Sequence, residues 1–183
     1  MSDTLVTVDR MRQVIQNINE LVRHDLLVGI PGETTDRKPE PGESTAMNNA
    51  TLGYIHEFGS PAANIPARPF LLPGIQDAQE KIEARLKKAA KVALAGQGAQ
   101  AITDALNATG LTAQAAVREK INSGDFAPLA SATLRIRAAR GRKGAQAELD
   151  SRAAGNAPST ADAKPLIDTG QLRNSINFVI RDK

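Results

Sequence analysis

Few residues of this 183-residue sequence are of a type and spacing that could do chemistry. Asp168-Thr169-Gly170 is the tripeptide that presents the catalytic carboxylate in aspartic proteases. His56-Glu57 sets an imidazole beside a carboxylate. Arg68 sits between Ala67 and Pro69, in a stretch that two prolines hold extended. Arg135, Arg137, Arg140, Arg142 and Lys143 put five cations and no anion into nine residues.

Each of these has a competing structural reading. An acid protease needs two facing carboxylates, one protonated and one ionised. This chain has a single Asp-Thr-Gly, followed by Gln171 rather than a small residue, so Asp168 is read as an N-terminal cap on a short helix over 169–174. His56 and Glu57 are sequence neighbours on a predicted helix, where they diverge by about 100° and cannot grip one ion. Arg68 suits a two-pronged bond to a carboxylate or to carbonyls, and is expected to clamp a sheet edge within or between subunits. The basic cluster would contact phosphates without sequence preference. It lacks the interleaved aromatics that stack on single strands, so a solvated face or an acidic neighbouring subunit is the stronger reading.

Composition narrows the field. The sequence has no cysteine and two histidines, His24 and His56, which excludes thiolate chemistry and leaves a zinc site short of ligands. No cofactor or metal is expected. No nucleophile–base pair and no Gly-x-Ser-x-Gly elbow is present, so a hydrolase is not expected either. The net charge of +3 is too small to imply nucleic acid by itself. No run approaches the ~20 apolar residues that cross a bilayer. The N-terminus lacks the pattern of a secretion signal, so cytoplasmic production is expected. Thirty alanines against four Phe, one Tyr and no Trp suit closely packed helices and supply few anchors for a ligand pocket.

Periodicity predicts a helix over 4–22 with Met11, Ile15, Ile18 and Val22 inward, then a short strand through Leu26, Val28 and Ile30 ended by Pro31. A helix over 48–59 carries Leu52, Ile55 and Phe58 inward. A long helix from Pro73 to Leu94 has Asp77–Lys81 and Glu83–Lys87 at i, i+4. A second long helix spans 99–122, with Gly110 marking a close approach or a bend. A short helix opened by Ser131 as its cap follows, and a last strand alternates Ile176, Phe178 and Ile180. The stretches 31–45 and 141–164 carry no sustained apolar face and are read as two long polar, mobile loops, suited to docking on partners. The whole, 1–183, is read as a single domain.

Three segments resemble one family. "KPLIDTGQLRNSINFVI", "YIHEFGSPAANIPARPFLLPGI" and "INSGDFAPLASATLRIRAARG" are similar, in order, to stretches of the virion-morphogenesis proteins of tailed bacteriophages, also called tail-completion or neck proteins. Ala130 departs from the serine common in that family. The resemblance makes His56, Glu57, Phe58, Gly59, Arg68, Pro69, Phe70, Asp168, Thr169, Gly170, Leu172 and Ser175 structural, with Phe58 buried and Gly59 turning the chain. It implies an α+β fold with a small antiparallel sheet packed against two long helices. It also implies a non-enzymatic ring, commonly a hexamer, at the head-proximal end of the tail. The partners would be copies of itself, the tail tube or terminator, and the head connector or closure proteins. A tail-terminator or head-closure ring is the neighbouring alternative; a basic nucleic-acid-binding module touching packaged DNA is the alternative of another class.

Overall fold

The computed structural model describes residues 10–41 and 47–183. Among the described residues 60% are helical, with one small antiparallel sheet. Its elements run α1 (Met11–Arg23), β1 (His24–Gly29), α2 (Asn49–Phe58), α3 (Leu71–Asp77), α4 (Gln79–Leu94), α5 (Ala99–Ser123), α6 (Ser131–Ala139), α7 (Lys143–Ala153), α8 (Gln171–Ser175) and β2 (Asn177–Asp182). They fall into two compact units.

The first unit draws on residues up to Val28, Ala78–Ala113 and Phe178–Lys183. Ala93, Ile102 and Leu106 form its core, with Leu21, Val92 and Ile180 packed against them. The face of α1 that turns toward α4 is the one bearing Asn17, whose Nδ2 donates to the Ala93 carbonyl at 3.5 Å. The predicted stripe of Met11, Ile15, Ile18 and Val22 is therefore not the core face. It is exposed, Met11 and Val22 by 66% and 60%. Alanines on α4 explain the rotation, since a side without bulk lets α1 come in close on its narrower face.

The sheet is a two-stranded ribbon, β1 beside β2. The Lys183 N–H donates to the Arg23 carbonyl at 2.9 Å, so the last residues run back along the first strand. His24 bridges this end, with Nδ1 2.9 Å from Asp182 and Nε2 3.2 Å from Glu20. A ribbon this small is marginal alone and needs a packed face. Phe178 lies so close over Gly110 that a Cβ there would fall 2.2 Å from its ring. Gly110 thus provides a close approach, in a helix that continues unbroken.

The second unit comprises Gly29–Asp77 and Gln114–Asn177. Leu129, Leu134, Ala145 and Ala163 make one core cluster, flanked by Ala138 and Leu149. The stretch 141–164, read from sequence as a loop, contains α7, which pairs with α6. Its inward positions are Ala145 and Glu148, a small residue and a charged one, so no apolar stripe announced it. The Glu148 carboxylate accepts from Arg152 Nε and from the Ser159 N–H, both at 2.7 Å. These two bonds, the Ser159 one foremost, hold its carboxyl below the usual carboxylate range against the opposing effect of burial.

Several boundaries also differ from expectation. The long helix predicted over 73–94 is two helices, broken at Ala78, and Asp77 pairs with Lys120 at 2.8 Å rather than with Lys81. Ser131 is the first residue of α6 and not its cap. In the 31–45 stretch, Thr34 Oγ1 donates to the Ser175 carbonyl at 2.8 Å and the Lys38 N–H donates to Gln171 at 2.8 Å. Residues 42–46 of that stretch, and 4–9 of the first predicted helix, lie outside the described residues.

Candidate functional site

The three segments singled out in sequence meet in the second unit, around an open cleft of about 480 Å³. His56, Arg68, Arg137, Arg140 and Asp168 line it, with Thr169, Gly170 and Leu172 on the same wall.

Asp168 anchors the basic cluster. Arg142 Nε donates to its Oδ1 at 2.9 Å, Arg137 Nε lies 3.8 Å from Oδ2, and Arg140 lies 4.0 Å away. The predicted capping role is overturned. The cap of α8 is Gly170, at φ +79°, with no side-chain bond. Glycine is needed there because a β-carbon disfavours that backbone angle. The carboxylate neutralises a cluster of guanidinium groups. Arg137 spends its remaining donors on the carbonyls of Lys164, Pro165 and Ile167, at 2.9–3.0 Å. Burial pulls its pKa below the ordinary arginine value, Asp168 opposes that, and the other arginines add to it. The five-cation cluster is thereby split: Arg137, Arg140 and the partly exposed Arg142 turn to Asp168, while Arg135 and Lys143 are exposed and lie outside that group.

Arg68 is 5% exposed. Its Nε donates to the Ala127 carbonyl at 2.9 Å and its Nη2 to the Pro128 carbonyl at 3.2 Å, so it clamps the loop before α6 and not a sheet edge. Pro69 follows and leads to Phe70, 2% exposed in the core. Glu57 has a role that the sequence did not reveal. Its carboxylate accepts the N–H groups of Phe70, Leu71 and Leu72 at 2.7–3.1 Å, capping the start of α3 from thirteen residues upstream.

Phe58 corrects another expectation. It is 66% exposed, its ring 4.8 Å from that of Tyr54. The buried positions of α2 are Asn49 and Gly53 instead, and the absence of a side chain at Gly53 makes room for Ile30, Phe70 and Leu172. Gly59 ends α2 at φ +76°, where a Cβ would meet the Ala67 nitrogen at 2.9 Å. Leu172 and Ser175 are buried on α8, and Ser175 Oγ donates to the Leu172 carbonyl at 2.7 Å.

His56 lines the cleft, and among the described residues its Nδ1 has no partner. Burial first, then Arg68 and Arg137, lower its pKa from 6.5 to about 4, so the imidazole is neutral at pH 7. Below 6.5 the unfolded chain takes up a proton that the folded chain refuses until about pH 4. Stability is thus expected to fall by roughly 2 kcal/mol between pH 7 and 5 through this residue. Urea melts of the wild type and His56→Gln at the two pH values check this; an equal pH dependence in both proteins would refute it.

Among the described residues no group of acidic, histidine or cysteine side chains could hold a metal ion, and no helix is long and apolar enough to cross a membrane. No protein-family model matches the chain, and no solved structure does. One curated relative is an uncharacterized protein of Methanocaldococcus jannaschii, MJ0331. It is 29% identical over 76 residues, a stretch that covers 42% of this chain and 56% of that protein.

Proposed function

We propose that the protein is a structural component of a tailed-phage virion, a tail-completion or neck protein that closes into a ring and joins head to tail. What supports this is the resemblance of the three segments, together with one structural observation: each unit leaves apolar surface open. The first exposes Met11, Ile15, Ile18 and Val22 along α1, and the second exposes Tyr54, Phe58 and Leu72. Contiguous apolar surface of this kind marks an interface. Each strand also has one neighbour, so each keeps an outer edge onto which a further strand can add.

In this reading the motif residues are architectural and no catalysis is involved. The partners are further copies, six in a closed ring, with tail and connector proteins above and below. The ring is assembled in the host cytoplasm and works in the virion. The nucleic-acid alternative is weakened by the engagement of Arg137 and Arg142 with Asp168, which leaves Arg135 and Lys143 as the exposed cations of the cluster outside that pairing. Native mass spectrometry of the purified full chain tests the proposal. A closed oligomer, with rings in negative stain, is expected; a monomer at every concentration would refute it.

A further inference from the structure

We infer that the cleft of the second unit is a binding site for an acidic segment of a partner protein, which inserts a carboxylate beside Arg140. The inference goes beyond the ring proposal and stands without it, because it rests on the chemistry of the cleft.

The first observation is charge. Among the residues lining the cleft are four guanidinium groups, of Arg37, Arg68, Arg137 and Arg140, against two carboxylates, of Glu40 and Asp168. Arg68 and Arg137 direct donors at backbone carbonyls. Arg140 differs from them. Its closest carboxylate oxygen is 4.0 Å away, beyond hydrogen-bond distance, although the side chain is largely shielded from water, 18% exposed. A guanidinium with unspent donors in a half-enclosed space favours a planar oxyanion that can accept two N–H groups at once.

The second observation is independent of charge. Asn49 is 2% exposed and lines the same cleft; its Nδ2 donates to the Asp36 carbonyl at 3.1 Å, but its Oδ1 has no partner among the described residues. An orphaned buried acceptor costs ~1–3 kcal/mol, which a donor arriving with a ligand removes. His56 Nδ1, also buried and unpartnered, lines the cleft as well. The occupant therefore brings both an oxyanion and N–H donors.

The third observation selects among such ligands. The apolar part of the lining is aliphatic, including Leu52, Ile65, Ile136 and Leu166. Apart from the His56 imidazole no aromatic ring lines it among the described residues, so a nucleobase finds little to stack on. A peptide with glutamate or aspartate among aliphatic residues supplies the oxyanion, the backbone N–H groups and the matching side chains, and a cleft of about 480 Å³ holds a few residues of it.

The test is an NMR titration of the full chain with a blocked tetrapeptide alternating leucine and glutamate. Its glutamine counterpart, inorganic phosphate and adenosine monophosphate serve as the other probes. The glutamate peptide is expected to bind with a dissociation constant below about 1 mM and to shift the Asn49 side-chain amide and the Arg140 Nε resonance. Arg140→Gln is expected to weaken it at least about tenfold, the loss of one charged hydrogen-bonding group, with Arg140→Lys in between. If both substitutions destabilise the fold, the wild-type titration decides alone. Equal binding of the two peptides, no binding, shifts mapping outside the cleft, or tighter binding of phosphate or the nucleotide would each overturn the inference.

Discussion

Glu148→Ala is expected to destabilise the second unit by about 3 kcal/mol, lowering the melting temperature by roughly 6–12 °C. The Glu148 side chain is 1% exposed and Arg152 is 15% exposed. Removing the acid strands a shielded guanidinium and frees the Ser159 N–H at one stroke. Arg152 keeps its bonds to the Leu129 carbonyl and to Ser131 Oγ, which places the effect at the low end of the range for broken buried pairs. Because its carboxyl is held below the ordinary range, its contribution is complete above the unfolded value of 4.5 and fades as pH falls through the folded one. The loss in Glu148→Ala is thus expected to be full at pH 7 and to shrink steadily as the pH is lowered below 4.5. A substitution equally harmful across that range would show that packing, not charge, holds α7. His56 acts in a higher window, between about pH 6.5 and 4, so the two acid effects separate on a pH series.

Asp168→Asn is expected to cost somewhat less, about 2 kcal/mol, because water partly screens the 21% exposed carboxylate and its 42% exposed partner Arg142. The substitution keeps the shape and removes the charge that offsets Arg137, Arg140 and Arg142. Arg137, 12% exposed, cannot move out to water without giving up three carbonyl bonds. A double-mutant cycle with Arg142→Gln checks the cause, since the direct 2.9 Å bond makes the pair the most strongly coupled. The combined loss is expected to be smaller than the sum of the single losses. An Asp168→Asn protein that melts within about a degree of wild type would mean that the aspartate is no structural hub.

Both residues show what the sequence made legible. The helical spans of α2 and α5 and the places of β1 and β2 were legible from periodicity, but burial in α2 does not follow bulk, since Asn49 and Gly53 are its buried positions, and neither strand alternates between buried and exposed residues. The inner face of α7 is Ala145 and Glu148, and a buried charge reads as an exposed one until its partners are in place. The spacing of Glu148 and Arg152 at i, i+4 was the available signal. On α1 the bulkiest residues were assigned inward, whereas alanines opposite reward a small contact face at Asn17. Asp168 was misread for a related reason. A cap is a local bond visible within a few residues, but its strongest partner lies 26 positions away. The convergence of His56, Arg68 and Asp168 on one cleft is long-range and has no local pattern.

The pairing of Arg23 with Lys183 has a consequence for the order of events in synthesis. The first unit is assembled from three stretches that are far apart along the chain, and β2 is the last of them. Closing so wide a gap is entropically unfavourable and kinetically slow. On the ribosome α1 therefore waits, amphipathic and without its ribbon, while the second unit is being translated. That interval is when a holding chaperone would find the side of α1 at Leu21, which later packs in the same core as Ile180, still open.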